Sequence, residues 1–85
     1  MRDRLLAQIE RTIEAAAWAV AEQEKRVARQ WALVEELERQ QHHDLAQEAR
    51  DVLKLMEDFL ERSKQELADA ERRRVARLSE SKSPQ

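Results

Sequence analysis

The sequence predicts an all-α protein, a two-helix antiparallel hairpin with coiled-coil-like packing that dimerises into a four-helix bundle. The first observation is that 85 residues contain no glycine, and that the single proline is Pro84. Glycine supplies the positive φ of tight turns and proline stops helices, so this chain has few places to leave a helix. The other two observations are an unbroken heptad pattern in the first half and a polar break before a second apolar stripe.

The first helix is predicted from about residue 3 to about residue 40. Side chains recur there with spacings that alternate between three and four, which is the a/d pattern of a coiled coil. Gln23 and Gln30 occupy two adjacent d positions, and two interpretations stay open. The amides find partners across the interface, or they reach water at the edge of the seam. The a and d positions are Leu6, Ile9, Ile13, Ala16, Val20, Gln23, Val27, Gln30, Val34 and Leu37.

A turn is predicted at about residues 41–44, in a polar stretch between the two apolar patterns. Asp44 is expected to be the N-cap of the second helix, with Gln47 at the spacing of a capping box. That helix is expected at about residues 45–78, which gives one domain of residues 1–78 and a disordered polar tail at residues 79–85. A single unbroken helix is the alternative. The second stripe is wider than an a/d seam and comprises Leu45, Ala49, Val52, Leu53, Met56, Phe59, Leu60, Ser63, Leu67 and Ala70.

Several apolar side chains outside these stripes require a second partner. Residues 15–21 are apolar around the whole helix, and Trp18 and Leu33 point away from the main stripe. We therefore expect a homodimer of hairpins, or contact with another helical protein. In the alternative, Trp18 is one of the isolated exposed apolar residues that are common on protein surfaces. The predicted interface residues are Ala15, Trp18, Ala19, Leu33 and Leu55.

The sequence predicts no catalytic, metal or cofactor site. The chain has no cysteine, and its two histidines, His42 and His43, are adjacent, so their side chains point apart and lack further ligands. No serine has a base partner nearby in the sequence. We therefore do not expect an enzyme, and we expect no cofactor.

The charge pattern and the N-terminus indicate a cytoplasmic protein without membrane contact. The 16 Lys and Arg residues nearly balance 18 Asp and Glu, for a net charge of -2, which argues against a general polyanion binder. No apolar run has the length of a signal peptide or a membrane span. One arginine cluster is either the solvated end of a helix, which we expect, or the phosphate-contacting surface of a nucleic-acid-associated regulator. Its members are Arg72, Arg73, Arg74 and Arg77.

Part of the chain resembles a known group of proteins. The matching positions are Val27-Ala28-Arg29-Gln30, Leu37, His43-Asp44, Ala49, Leu53, Met56 and Leu60. Over about residues 20–62 they resemble small, mostly uncharacterised helical-hairpin proteins of alphaproteobacteria, whose pattern has glycine at the place of His42. The resemblance implies a bacterial origin and assigns no activity. We expect a small self-associating protein that acts as an interaction or scaffolding module.

Overall fold

The chain folds into two long helices packed side by side. The computed structural model describes residues 3–82, and the side chains of residues 3–80. Helix α1 is Arg4–Arg39 and helix α2 is His43–Lys82, and they pack against each other in a hairpin about 68 Å long. The predicted all-α hairpin is confirmed, and the alternative of a single unbroken helix is wrong.

Helix α1 begins at a side-chain cap. Asp3 has an extended backbone, and its Oδ1 accepts a hydrogen bond from the Leu6 N–H at 3.1 Å. Aspartate is among the best N-cap residues because its oxygen satisfies one of the N–H groups that a helix start leaves unpaired. The same carboxylate also accepts from Arg77 Nε of α2 at 2.8 Å. The start of α1 is therefore tied to the last turns of α2.

The turn reverses the chain through a left-handed residue that is not glycine. Gln41 has a φ of 62°. The His42 N–H donates to the Leu37 carbonyl at 2.9 Å, and the Gln41 N–H donates to the Glu38 carbonyl at 3.0 Å. These two bonds form the Schellman motif, whose left-handed position is usually occupied by glycine. A chain without glycine therefore turns here at the expense of one strained residue.

Helix α2 begins earlier than the sequence predicts. Its first residue is His43, so Asp44 lies inside the first turn and the predicted N-cap at Asp44 is wrong. The Gln47 amide donates to a carboxylate one turn further on, at 3.0 Å, and forms no capping box. The reason is that the Schellman motif already sets the chain direction at His42, whose carbonyl accepts the first hydrogen bond of α2 at 2.8 Å. Asp44 still favours the helix because it places negative charge near the positive end of the dipole.

Helix α2 also ends later than predicted. Residues 79–82 are helical, so the predicted disordered tail is wrong for this part, and residues 83–85 lie outside the described residues. A polar composition does not end a helix, because each added residue gains a backbone hydrogen bond until a breaker such as Pro84 intervenes. Glu80 adds an ion pair with Arg77 at 3.2 Å.

The heptad positions of α1 face α2 as predicted. Every a and d residue from Leu6 to Leu37 is buried or half-buried, and Val34 forms the centre of the core with Ala49 and Leu53. The Gln30 Nε2 donates to the Ala49 carbonyl at 2.9 Å. At Gln30, therefore, the amide finds its partner across the interface, which is the first of the two interpretations.

Helix α2 faces α1 with a seam that is narrower than the predicted stripe. Ala46 is fully buried and belongs to the seam, although the sequence pattern does not include it. Leu45, Val52 and Phe59 are about half exposed, so their assignment to the inward stripe is wrong. The inward residues alternate in spacing between three and four: Ala46, Ala49, Leu53, Met56, Leu60, Ser63, Leu67 and Ala70.

Candidate association surface

The two sides of the hairpin differ in chemistry. Residues beside a coiled-coil seam occupy g positions on one side and e positions on the other. An ion pair between Glu38 and Arg50 joins the e positions of the two helices and shows that these positions share one side. We call the two sides the e side and the g side. In an antiparallel hairpin the g positions of both helices then share the opposite side.

The e side is mostly charged, and the g side is mostly apolar. The e positions are Glu10, Ala17, Glu24, Trp31 and Glu38 in α1, with His43, Arg50, Glu57, Lys64, Glu71 and Leu78 in α2. The g positions are Leu5, Thr12, Ala19, Arg26 and Leu33 in α1, with Leu45, Val52, Phe59, Glu66, Arg73 and Glu80 in α2. The g side is therefore the side of the hairpin that water solvates least well.

Five large apolar side chains lie on the g side in the half of the hairpin that includes the turn. Leu33 is 46% exposed, and because Val34 packs on Ala49 it lies level with the segment of α2 that carries the other four. The guanidinium of Arg62 lies 5.9 Å from the centre of one ring in this set, a cation–π contact at the rim. We call this set the turn-proximal patch: Leu33, Leu45, Val52, Leu55 and Phe59.

Four of the five predicted interface residues lie on one side of the hairpin. Ala19 and Leu33 occupy g positions, and Ala15 and Leu55 occupy the adjacent c positions, so all four lie on the g side. Trp18 occupies an f position opposite the seam and is 68% exposed. Trp18 therefore lies apart from the other four and faces outward.

Sequence reasoning missed three members of the patch. Leu45, Val52 and Phe59 belong to an apolar stripe that is too wide for one partner helix, and the structure leaves them about half exposed. Their spacing of seven is a signal that could have found them. A row with that spacing beside an already complete a/d seam marks a second contact surface.

At the open end of the hairpin, where the start of α1 lies beside the end of α2, the same side holds a groove of about 510 Å³ between the helices. Its α1 wall combines two apolar residues with two uncharged polar ones, and its rim carries the Arg77 and Glu80 ion pair. Most of the lining residues occupy g or c positions. They include Leu5, Gln8, Ile9 and Thr12 of α1 and Arg73 and Ala76 of α2. We call this feature the open-end groove.

The ion pair between Asp3 and Arg77 links the two helices at the open end. The hydrogen bond from Arg77, and then the one from the Leu6 N–H, hold the pKa of Asp3 below its ordinary value. The same contact raises the pKa of Arg77. Both side chains are partly exposed, at 25% for Asp3 and 34% for Arg77, so solvent screens the pair.

The four arginines of the C-terminal cluster do not form one cationic surface. Arg72 pairs with Asp69, and Arg77 pairs with Asp3 and Glu80. In the heptad the four occupy the f, g, a and d positions, so their side chains leave α2 in different directions. A phosphate-gripping surface needs convergent cations, and this arrangement instead favours the solvated end of a helix.

His42 ends the turn and His43 begins α2. Among the side chains of residues 3–80, no three His, Asp or Glu residues lie close enough to hold a metal ion. In the described part of the chain, neither helix is long and apolar enough to cross a membrane.

Comparison of the chain with protein-family models, with curated proteins and with solved structures finds no match. The resemblance to alphaproteobacterial hairpin proteins stays a prediction.

Proposed function

We propose that this protein is a self-associating interaction or scaffolding module, in which two hairpins pack through their g sides into a homodimeric four-helix bundle. The observation that carries the proposal is the contrast between the apolar g side and the charged e side. Single exposed apolar residues are common on protein surfaces, but a group of large apolar side chains on one flank is typical of a contact surface. The proposal gives the protein a binding role and no catalytic one.

The dimensions of the hairpin suit a stable dimer. The hairpin extends 68 Å by 16 Å in the plane of its two helices, so its g side offers an area on the order of 1,000 Å². Stable interfaces commonly bury about 800 Å² on each partner. Burial of the exposed half of each large patch side chain contributes about 1 kcal/mol to the free energy of dimerisation. A single hairpin has a small core, because Val34 and Leu53 are the only buried apolar residues larger than alanine among those described. Dimerisation would therefore add to the apolar surface that stabilises the folded chain.

In such a bundle the outer surfaces of the helices stay available to other proteins. Trp18 lies on the outer surface of α1, and the basic side chains Arg11 and Lys25 lie one heptad before and after it. Glu14 and Glu22 lie one turn from Trp18 on either side, so charges of both signs surround an indole that an apolar side chain of a partner can cover. The bundle then holds two such surfaces at a fixed separation, which is how a scaffold brings partners together.

The test compares two substitutions that differ in side but not in exposure. Leu33 and Trp31 are two residues apart on α1 and are 46% and 47% exposed, on the g side and the e side respectively. Leu33→Glu places two charges in the proposed interface of a dimer. We expect it to raise the dissociation constant at least about 100-fold, because about 3 kcal/mol is lost over the two copies. Trp31→Glu leaves the interface intact.

The measurement is sedimentation equilibrium of both variants, with circular dichroism to confirm that each remains helical. A dimeric Trp31→Glu variant and a helical, monomeric Leu33→Glu variant support the proposal. Equal association of the two variants, whether both are dimeric or both monomeric, contradicts an interface on the g side.

A further inference from the structure

We propose that the two hairpins pack with their turns at opposite ends, so that part of the turn-proximal patch of each chain, with Leu33 and Val52, covers the open-end groove of a second copy. This inference rests on the proposed dimerisation and adds its orientation and its contacts. Three features of the described residues support it. The groove and the patch lie on the same side of the hairpin, they lie at matching positions along the helices, and the groove would stay empty in the other orientation.

The patch and the groove lie on the same side of the hairpin. Leu5 and Thr12 of the groove and Leu33 of the patch all occupy g positions of α1. In α2, Val52 of the patch and Arg73 of the groove also share the g position. One flank therefore carries protruding apolar side chains in one half and a cavity in the other half.

The patch and the groove lie at equal distances from the middle of the hairpin. In α1, residue 21 lies halfway between Ile9 and Leu33, and the helix Arg4–Arg39 is itself centred between residues 21 and 22. In α2, residue 64 lies halfway between Val52 and Ala76, and the helix His43–Lys82 is centred between residues 62 and 63. A two-fold axis that lies in the interface, level with the middle of the hairpin and perpendicular to its length, therefore places the Leu33 and Val52 part of each patch over the partner's groove with nearly full overlap of the helices. Leu55 and Phe59 lie beyond the groove, nearer the axis.

The opposite choice of axis fits less well. A two-fold axis along the hairpin would put both turns at one end, with patch against patch and groove against groove. The two grooves, each about 510 Å³, would then face each other and stay unfilled. Protein interfaces pack at the density of protein interiors, and the apolar groove residues Leu5, Ile9 and Ala76 would lack dispersion contacts across such an interface.

The opposite-end arrangement brings Leu33 and Val52 level with residues of the partner's groove. Leu33 comes level with Ile9 on the α1 wall of the partner's groove. Val52 comes level with Arg73 and Ala76 on the α2 wall, where the aliphatic stem of the arginine can cover it while the guanidinium stays in water. Ala19, close to the two-fold axis, is small enough for the two α1 helices to approach closely.

The experiment measures distances between spin labels in the dimer. The chain has no cysteine, so a single introduced cysteine gives one label on each copy. Asp44→Cys labels the turn end on an exposed residue, and Ala21→Cys labels the exposed middle of α1. At 1.5 Å per residue, opposite-end packing separates the two Asp44 labels by about 55 Å. The Ala21 labels stay within roughly 30 Å in either orientation, because packed helices lie about 10 Å apart.

A distance of about 55 Å at position 44 together with a short distance at position 21 supports the proposal. Short distances at both positions overturn the orientation while leaving the proposed dimer standing. A second label site, Gln47→Cys, lies one turn further along α2 and should give a distance about 10 Å shorter than position 44. If neither position shows dipolar coupling and the mass is that of one chain, both this inference and the proposed function fail.

Discussion

Replacement of Gln41 by glycine should stabilise the protein, although glycine normally weakens helical proteins. Gln41 has a φ of 62°, a conformation that destabilises the folded state by about 1–2 kcal/mol for an L-residue with a Cβ. Glycine removes that strain but loses about 0.5–1 kcal/mol through the greater freedom of the unfolded chain. The net expectation is a gain of about 1 kcal/mol for Gln41→Gly.

The neighbouring glutamine supplies a matched control. Gln40 has a φ of -82° and no strain to relieve, and its side chain makes one exposed hydrogen bond, to Glu36 at 2.9 Å. Gln40→Gly should therefore destabilise the protein by about 0.5–1 kcal/mol. The same substitution at these adjacent positions is therefore expected to change the free energy of unfolding in opposite directions.

Urea unfolding followed by circular dichroism measures both changes. At a slope of roughly 1 kcal/mol per molar urea, the midpoint should rise by about 1 M for Gln41→Gly and fall for Gln40→Gly. All variants are compared at one protein concentration, because the stability of an associating protein depends on concentration. A fall in the midpoint for Gln41→Gly as large as that for Gln40→Gly would refute the left-handed turn and favour a chain that stays helical through residue 41.

Two further predictions concern the ends of the helices. Asp3→Asn keeps an N-cap but removes the charge that binds Arg77. Because the pKa of Asp3 is lowered in the folded chain, its ion pair contributes stability above the unfolded pKa of about 3.9 and loses it as pH falls through the lower folded value. The urea midpoint of wild type should therefore exceed that of Asp3→Asn at pH 7, and the difference should shrink as pH falls below about 3.9. A difference that stays constant as the pH is lowered would contradict this account. At the turn, His43→Pro should retain helicity, because proline is favoured at the first position of a helix. His42→Pro should lower the thermal unfolding temperature, because it removes the N–H that donates to the Leu37 carbonyl. Equal unfolding temperatures for the two variants would argue against the Schellman motif.

The sequence predicts the inward face of α1 well, because its apolar residues follow a regular heptad and no second apolar row of α1 suggests a different inward face. Helix length is predictable too, since no glycine or proline interrupts the chain before Pro84. The start of α2 is not predictable in the same way. Asp44 is a typical N-cap residue, but the backbone hydrogen bonds at the end of α1 already fix the position of His42. Those bonds require a residue with a left-handed backbone, and a glutamine in the sequence does not predict one.

The candidate surface is predictable only in part, because apolar residues beside a seam look the same in sequence whether they face the core or a second molecule. Leu33 and Leu55 stand out because they lie off the stripes. Val52 and Phe59 merge with the inward stripe of α2, and only their exposure in the hairpin separates them from it. The groove has no sequence signature, since it depends on how two distant segments lie side by side.

The most direct test of the central claim is the mass of the wild-type protein in solution, measured by light scattering at micromolar concentration beside its helical circular dichroism signal. Self-association through the g side predicts about twice the chain mass of 10.1 kDa. A fully helical, cooperatively unfolding protein with the mass of one chain would contradict the account.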